Sequence, residues 1–324
     1  MDLKEMLRLS SRTFAIGIER LPQELSHALT VAYLLLRVSD YLEDNAEMPP
    51  QQKVRLLYLW DKALGEEIPV AELMSEMTYP PEETADSTVA RHAGFLLAEL
   101  ATLPEGMRQP ILKHVRDSTI GMARWVARGP LVNNEADMDD YMHEVAGRVG
   151  YLVTELFAWY SYTIRQHLDQ LIPLAREFGL ALQTVNVIRG LRDDFDRGWI
   201  FVPESFCAAV NLSREALFDP AHEQEAMVVV DMLIQKAERH LEVAKTYLKS
   251  LPPWQHSIRL ACMFPLLFAV RTLAICRNSQ SVLYSEAKMQ REEVKKIVRD
   301  STMWGWSNWW VDYYCRKLNI VLRP

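Results

Sequence analysis

The sequence predicts an all-α protein that forms one domain over residues 1–324. Three observations support this fold class. Glycine is scarce, with 12 residues in 324, whereas sheet-rich folds need many tight turns and an average protein has about 7% glycine. Apolar residues recur with the helical period along most of the chain, and alternating strand patterns are short and rare. No repeat, low-complexity tract or linker divides the chain, so a single domain of ten or more helices is the simplest interpretation.

The predicted helices follow one another along the chain. Long apolar stretches predict helices over 25–42, 152–168, 172–191 and 227–248. Their apolar residues cover more than one face, which is typical of helices buried inside a bundle. Asp137 is the expected N-cap of a further helix that continues through Tyr141. Proline and glycine clusters predict loops at 49–50, 79–81, 129–130 and 252–253.

Composition excludes several classes of protein. The chain has 49% apolar and 24% charged residues, which is ordinary for a globular protein. Its net charge of −7 argues against a general nucleic-acid-binding protein, which is usually basic. The four cysteines form no CxxC pair, so we expect reduced thiols in the cytoplasm rather than disulfides or a zinc site. The longest apolar run, residues 261–270, is shorter than the roughly 20 residues of a membrane span. We therefore expect a cytoplasmic protein, attached at most to a membrane surface.

Two acidic residues close the first long helix. Asp40 and Asp44 are four positions apart and share one helical face, where like charges cost a few tenths of a kcal/mol. A magnesium ion would compensate, since it takes one or two carboxylates and completes its shell with water and phosphate oxygens. A solvated acidic helix end explains the same spacing, so this pair alone does not decide between the two interpretations.

A second polar cluster ends the helix predicted over 172–191. Asn186 and Arg189 interrupt an apolar helix that leads to Asp193 and Asp194. Buried polar groups usually have a ligand or a network, although an exposed charged helix end is an equal alternative here. The two clusters together would suit a ligand with a diphosphate head and a long hydrocarbon tail. Arg37 and Arg189 would then contact phosphate oxygens bidentately.

Five segments resemble the squalene/phytoene synthase family of head-to-head prenyl transferases, and they occur in the expected order. They are SRTF at 11–14, YLLLRVSDYLED at 33–44, YMHEVAGRVG at 141–150, QTVNVIRGLRDD at 183–194 and RGWIFVP at 197–203. The resemblance extends over about residues 5–295. It implies an isoprenoid-synthase helical bundle around a deep apolar cavity.

The same resemblance implies a reaction and assigns roles to residues. Two allylic prenyl diphosphates, most simply two farnesyl diphosphates, would condense to squalene or dehydrosqualene via presqualene diphosphate in a magnesium-dependent reaction. The implied metal ligands are Asp40, Asp44, Asp193 and Asp194. The implied catalytic residues are Tyr33, Arg37 and Tyr141. The implied substrate-binding residues are Ser11, Arg12, Phe14, Arg37, Gln183, Asn186 and Arg189.

Gly190 departs from the family pattern, which has aspartate directly after N-x-x-R. Asp193 lies about 100° around the helix from Asp194 and is a poor replacement for the missing carboxylate. Three interpretations stay open: an enzyme with fewer metal ligands, a single-ionisation terpene cyclase or aromatic prenyltransferase, or a non-catalytic relative. Substrate length also stays open, because phytoene synthases of the family use geranylgeranyl diphosphate.

Three further questions are not decided by the sequence. The family's squalene synthases use NADPH, and its carotenoid branch does not. With no GxGxxG loop in the chain, NADPH would bind without a Rossmann domain. The oligomeric state is undetermined. Residues 304–314 are dense in aromatics and are followed by basic residues, so they either pack a terminal helix or contact a membrane interface.

Overall fold

The computed structural model describes residues 1–80, 82–277 and 279–319, and for Arg12 the backbone alone. Of the described residues, 78% are helical and none lies in a strand, which confirms the all-α prediction. The α-helices of the described residues are α1 Leu3–Ser10, α2 Arg12–Ile18, α3 Gln23–Asp44, α4 Pro50–Leu64, α5 Val70–Glu76, α6 Ala85–Arg91, α7 Ala93–Ala101, α8 Glu105–Arg128, α9 Glu135–Met142, α10 Arg148–Tyr160, α11 Tyr162–Gln166, α12 Leu168–Arg189, α13 Leu191–Asp196, α14 Glu204–Ala208, α15 Glu223–Ser250, α16 His256–Cys276, α17 Arg291–Trp304 and α18 Asn308–Leu318. A π-helix occupies His143–Gly147, and 3₁₀ turns occupy Glu215–Phe218, Pro220–His222 and Gln280–Leu283.

The first of two compact units comprises Met1–Gly129 and Arg148–Asp169. Its central helix is α3, which packs against α1, α4, α6, α7 and α8. Most of α3 is buried, as its apolar residues on several faces predict. The fully buried hydroxyl of Ser39 is satisfied by Thr119 at 2.7 Å and by the indole nitrogen of Trp60 at 3.1 Å. Helix α3 therefore carries Arg37, Asp40 and Asp44 on a well-packed support.

The second unit comprises Pro130–Gly147 and Gln170–Pro324. Its core helix is α16, whose length and composition would suffice to cross a membrane, but 78% of that stretch is buried inside the protein. The buried guanidinium of Arg259 donates to the carbonyl oxygens of Leu248 and Leu251, at 3.0 and 2.7 Å, and to Asn308 at 2.7 Å. These bonds join the end of α15 to the start of α18. The unit also holds four buried, free cysteines, Cys207, Cys262, Cys276 and Cys315.

Local structure corrects three boundaries predicted from the sequence. The N-cap of α9 is Asn134, whose side chain accepts a hydrogen bond from the Asp137 nitrogen at 3.0 Å, so the predicted cap at Asp137 is wrong. The helix predicted over 152–168 is interrupted at Ser161, which caps α11. The helix predicted over 172–191 begins earlier, at Leu168, and α12 ends at Arg189, because Gly190 leaves helical geometry.

A buried lysine joins three helices of the second unit. Lys236 on α15 is fully buried and pairs with Asp139 of α9, with Glu135 at 3.4 Å behind it. His240, one turn after Lys236, lies 2.6 Å from Glu177 of α12. Burial alone would raise the pKa of Asp139, but hydrogen bonds from His240 and Lys236 hold this pKa below its ordinary value. These ion pairs fix α9, two residues before Tyr141.

We predict that Asp139→Asn destabilises the protein more than Lys236→Met. The first change leaves a fully buried ammonium without its nearest carboxylate, which costs about 3 kcal/mol, whereas the second removes the buried charge itself. Urea unfolding of the two variants would measure the difference. The pKa of Asp139 is lower in the folded protein than in the unfolded chain. Its carboxylate therefore contributes its full stabilisation of the fold above about pH 4, and this stabilisation is lost as the pH falls further. The acid-side decline in melting temperature should therefore be shallower in Asp139→Asn, and a larger loss of stability in Lys236→Met would contradict this account.

Candidate functional site

Arg37 lies between two carboxylates in the first unit. Its Nη1 donates to Asp40 one turn along α3 at 2.8 Å, and its Nε donates to Asp86 at 3.1 Å. Asp86 lies in the first turn of α6, where Thr84 and Ser87 form a capping box. Asp86 lies outside the five motif segments. The T-x-x-S pattern could have located this helix start, but nothing in the sequence connects it to Arg37.

Burial and neighbouring charges set the titration of this cluster. Burial raises the pKa of Asp40 to about 6, with Asp44 and Asp86 adding to the rise and Arg37 opposing it. Burial alone would lower the pKa of Arg37, but Asp40 and Asp86 raise it overall, so the guanidinium stays charged. Asp44 is the last residue of α3 and is exposed, one turn beyond Asp40. The two acids thus present one partly buried and one open carboxylate on the same side of the helix.

Tyr33 lies one turn before Arg37 and contacts the N-terminal helices. Its hydroxyl donates to the Ser10 carbonyl at 3.4 Å, and its ring centre lies 5.9 Å from that of Phe14. Burial raises the pKa of Tyr33, while Arg37 opposes the rise. Ser11 caps α2 through the Phe14 nitrogen at 3.2 Å. The structure brings Ser11, Phe14, Tyr33 and Arg37 together, whereas the Arg12 side chain lies outside the described part of the chain.

Tyr141 belongs to a row of stacked aromatic rings in the second unit. Its ring centre lies 4.6 Å from that of Phe201, which in turn stacks on Trp199 at 5.4 Å. Tyr141 is 6% exposed. Trp199 and Phe201 both lie in the quoted segment 197–203, but the sequence motifs do not single out either residue. The row offers aromatic faces to a cation, which such faces stabilise electrostatically.

A close backbone contact holds the π-helix that follows Tyr141. A methyl group at Gly179 of α12 would lie 2.2 Å from the Ala146 carbonyl oxygen and 2.9 Å from the Gly147 Cα. These are backbone atoms, so a change of side-chain rotamer cannot relieve the clash. Gly179 therefore allows α12 to lie directly against the π-helix, and π-helices occur frequently at functional sites.

Polar side chains emerge from the last turns of α12. Gln183 accepts a hydrogen bond from Asn186 at 3.3 Å, and Asn186 is exposed. Arg189 pairs with Glu286 at 3.2 Å, and its carbonyl accepts from the Ala287 nitrogen at 3.3 Å. Glu286 lies outside the five motif segments, and nothing in the sequence connects it to Arg189. The predicted convergence of Tyr141, Asn186 and Arg189 with Arg37 stays a prediction.

Gly190 interrupts the helix only slightly. Its nitrogen donates to the Asn186 carbonyl and its carbonyl accepts from the Asp194 nitrogen, both at 2.9 Å, so helical hydrogen bonding continues across it. Asp194 is buried and pairs with Arg197, whereas Asp193 is exposed. The two acids thus point to different surroundings, as their 100° separation implies. Within the described residues, no three His, Cys, Asp or Glu side chains are grouped so that they could hold a metal ion by themselves.

Comparison with known families identifies the chain. A family model described as squalene/phytoene synthase matches residues 7–293. The chain belongs to the squalene/phytoene synthase family. Membership confirms the resemblance carried by the five sequence segments, and it confirms the prenyltransferase class at the level of the family.

Curated relatives in this squalene/phytoene synthase family are squalene synthases. Botryococcus squalene synthase, from Botryococcus braunii, is 30% identical over 304 residues, which are 90% of this chain and 61% of that protein. Mouse squalene synthase is 27% identical over 296 residues, 91% of this chain and 68% of that protein. The chain thus spans about two thirds of the length of these relatives.

Solved structures agree with the fold class. The complex of TcSQS with the ligand BPH1237 has a TM-score of 0.84 at 25% identity and covers 98% of this chain and 90% of that chain. A dehydrosqualene synthase in complex with a ligand has a TM-score of 0.64 at 17% identity, covers 97% and 95% of the two chains, and supports the fold alone. The all-α isoprenoid-synthase fold predicted from the resemblance is therefore confirmed.

We predict that Gly179→Ala destabilises the protein by about 1–3 kcal/mol, because the added methyl group forces α12 away from the π-helix. Gly94→Ala is a matched control. Gly94 is also helical, but its added methyl group would meet Val70 at an ordinary 3.5 Å, so this change should be neutral or slightly stabilising. Thermal unfolding followed by circular dichroism compares the two. Equal melting temperatures would show that the contact at Gly179 does not constrain the packing.

Proposed function

We propose that the protein condenses two farnesyl diphosphates head to head, forming presqualene diphosphate and then squalene or dehydrosqualene. The observation that carries the proposal is the family match over residues 7–293, with every quoted polar motif residue present except an aspartate at position 190. The relatives named above are squalene synthases, which favours a C15 substrate. A C40 product from geranylgeranyl diphosphate, as in phytoene synthases, is the alternative within the same reaction class.

Asp40 and Asp44 would hold magnesium in this reaction. The two residues fit the ion, because they share a helical face and magnesium accepts two carboxylates when phosphate oxygens and water complete its shell. Asp194 and the neighbouring Asp193 are the proposed magnesium ligands of the second acidic cluster. Bound magnesium would neutralise the charge of the departing diphosphate.

Arg37 and Arg189 are the proposed diphosphate-binding cations, with Asn186 and Gln183 donating nearby hydrogen bonds. Carboxylates already hold both arginines: Asp40 and Asp86 hold Arg37, and Glu286 holds Arg189. When a diphosphate binds here, it replaces the carboxylate as the anionic partner of the arginine. Neither arginine side chain then loses further conformational freedom. Ser11, Arg12 and Phe14 are proposed to contact the substrate beside Tyr33.

Tyr141 is proposed to act on the carbon atoms rather than on the phosphates. Departure of the diphosphate leaves an allylic cation, and the row formed by Tyr141, Phe201 and Trp199 presents aromatic faces that stabilise positive charge. The burial of Tyr141 keeps water away from its ring, which protects such a cation from hydrolysis. Attack by the double bond of the second farnesyl diphosphate, with loss of one proton to the departed diphosphate, then gives the cyclopropyl product, presqualene diphosphate. Its own diphosphate would then depart, and the resulting cation would either take a hydride from NADPH to give squalene or lose a proton to give dehydrosqualene.

We infer that the protein lies in the cytoplasm. We also infer peripheral contact with a membrane, because both its substrate and its product carry long hydrocarbon chains. Its partners are prenyl diphosphates. The net charge of −7 does not favour nucleic acid.

Gly190 supports one competing function. An enzyme that lacks this carboxylate could ionise a single prenyl diphosphate and then cyclise it or transfer it to another acceptor. Incubation with farnesyl or geranylgeranyl diphosphate, with and without magnesium and NADPH, separates the alternatives by product analysis. We expect presqualene diphosphate or a C30 hydrocarbon. Diphosphate release without coupling would establish the single-ionisation function, and no release would identify a non-catalytic relative.

We predict that Asp40→Ala and Asp44→Ala each lower turnover at least about a hundredfold, because each removes a ligand of the ion that stabilises the departing diphosphate. The melting temperature of Asp40→Ala should stay close to that of the wild type, since Arg37 keeps Asp86 and a desolvated carboxylate is lost. Asp231→Ala, at an exposed acid of α15, is the control and should leave turnover unchanged. Full activity of Asp40→Ala at saturating magnesium would remove Asp40 from the metal site.

We predict that Gly190→Asp lowers the magnesium concentration needed for half-maximal rate without changing the product. The backbone at Gly190, with φ −104°, accepts any residue, and a Cβ there would lie 3.3 Å from the Asn186 oxygen, a tight but tolerable contact. Gly190→Asn has the same shape without the charge and should not shift the magnesium dependence. Identical magnesium titrations of the Asp and Asn variants would show that position 190 does not face the metal.

A further inference from the structure

The exposed tryptophans of the described chain lie in one region of the second unit. Trp254, Trp304, Trp306 and Trp309 are 50–73% exposed, and Met303 and Tyr313 beside them are 57% and 42% exposed. We call these six residues the aromatic surface. Elsewhere in the described chain tryptophans are buried or half-buried. A soluble protein rarely exposes a cluster of large apolar side chains unless the cluster binds something.

Hydrogen bonds bring the two sequence segments of this surface together. His256, two residues after Trp254, lies 3.0 Å from the carbonyl oxygen of Thr302, the residue before Met303. Arg259 donates to the Gly305 carbonyl at 3.2 Å, between Trp304 and Trp306. Asn308 donates to the Lys249 carbonyl at 3.1 Å. The loop between α15 and α16 therefore lies next to the turn between α17 and α18.

Helix α18 shows how the surface is built. Trp310 and Tyr314 face inward, and Tyr314 donates to Asp300 at 2.9 Å. Trp309 and Tyr313 face outward with their rings stacked at 5.7 Å and nearly parallel. The terminal aromatics thus pack a helix on one side, as one sequence interpretation expected, and leave an unpartnered aromatic face on the other. The Lys317 ammonium lies 6.0 Å from the Tyr313 ring.

The sequence segment that contains the aromatic surface is basic, although the whole protein is acidic. Residues 245–319 contain twelve lysines and arginines and five acidic residues, a net charge of +7, whereas the whole chain carries −7. Arg316 and Lys317, at the end of α18, are both exposed. The positive charge lies in the same part of the sequence as every residue of the aromatic surface.

We propose that the aromatic surface docks onto the surface of an anionic phospholipid bilayer. Tryptophan and tyrosine prefer the boundary between membrane and water, and nearby lysine and arginine are attracted to anionic headgroups. Helix α16 is mostly buried in the protein core, so the surface lies on the membrane and α16 does not cross it. Only the purpose of this docking rests on the proposed function: it would place the site beside a lipid phase that supplies or accepts long hydrocarbon chains.

Charge also distinguishes a bilayer from a second copy of the chain. A two-fold dimer through this surface would bring together two copies of the segment 245–319, with the exposed Arg316 and Lys317 of each copy near the contact, and like charges in an isologous contact repel. An anionic bilayer has the complementary charge. The surface therefore fits lipid better than it fits itself.

Vesicle sedimentation without substrate tests the proposal. We expect the protein to bind vesicles of phosphatidylcholine mixed with phosphatidylglycerol, and to bind phosphatidylcholine alone more weakly. The double variant Trp254→Ser/Trp309→Ser removes the two most exposed tryptophans and should weaken binding at least about tenfold. Tyr58→Ser/Tyr162→Ser, at exposed aromatics of the first unit, is the matched control and should bind as the wild type does. Equal binding of both double variants, or no binding by the wild type, would overturn the proposal.

Two further measurements keep the outcomes distinct. Turnover of Trp254→Ser/Trp309→Ser on detergent-dispersed substrate should equal that of the wild type. If the wild type itself forms no product in detergent, the proposed function is contradicted, and the vesicle-binding result still stands. Sedimentation equilibrium without lipid should show no association through this surface. A dimer that the double variant abolishes would assign the surface to a second copy instead.

Discussion

The pairing of buried charges is the constraint on which the candidate residues depend. Helices built almost entirely from apolar residues can hold Arg37, Lys236 or Arg259 inside only if opposite charges or carbonyl oxygens surround each of them. Asp86, Asp139 and the Leu248 carbonyl lie on different helices from the cations that they contact, so satisfying a charge also fixes the position of a helix. In the second unit the Lys236 network positions α9, and with it Tyr141.

Pairing in advance also prepares the cations for an anionic ligand. A guanidinium that already lies in a carboxylate fork has lost most of its rotational freedom, so a phosphate that replaces the carboxylate need not order it. Asp40 holds Arg37 in place and is itself a proposed metal ligand, so a ligand that arrives with its own cation could satisfy both residues at once. The elevated pKa of Asp40 fits a carboxylate whose surroundings lack a sufficient positive charge.

Periodicity and motif order predict the fold class, the extent of α3 and the family, because these features are local in sequence. What they miss depends on distant partners. Asp86 and Glu286 are ordinary surface acids until the fold places them against Arg37 and Arg189. Gly179 looks like a poor helix residue until the Ala146 carbonyl is seen beside it. The cap at Asp137 failed for a local reason, since Asn134 is an equally good capping residue three positions earlier.

The distribution of the buried cysteines gives the protein an internal reporter of local opening. All four lie in the second unit, and the first unit contains none. Burial raises the pKa of Cys207 to about 11 and those of Cys262, Cys276 and Cys315 to about 12, so almost no thiolate exists at neutral pH while the unit is closed. An alkylating reagent therefore reacts only with molecules whose second unit has opened. The rate of alkylation therefore measures how often the second unit opens.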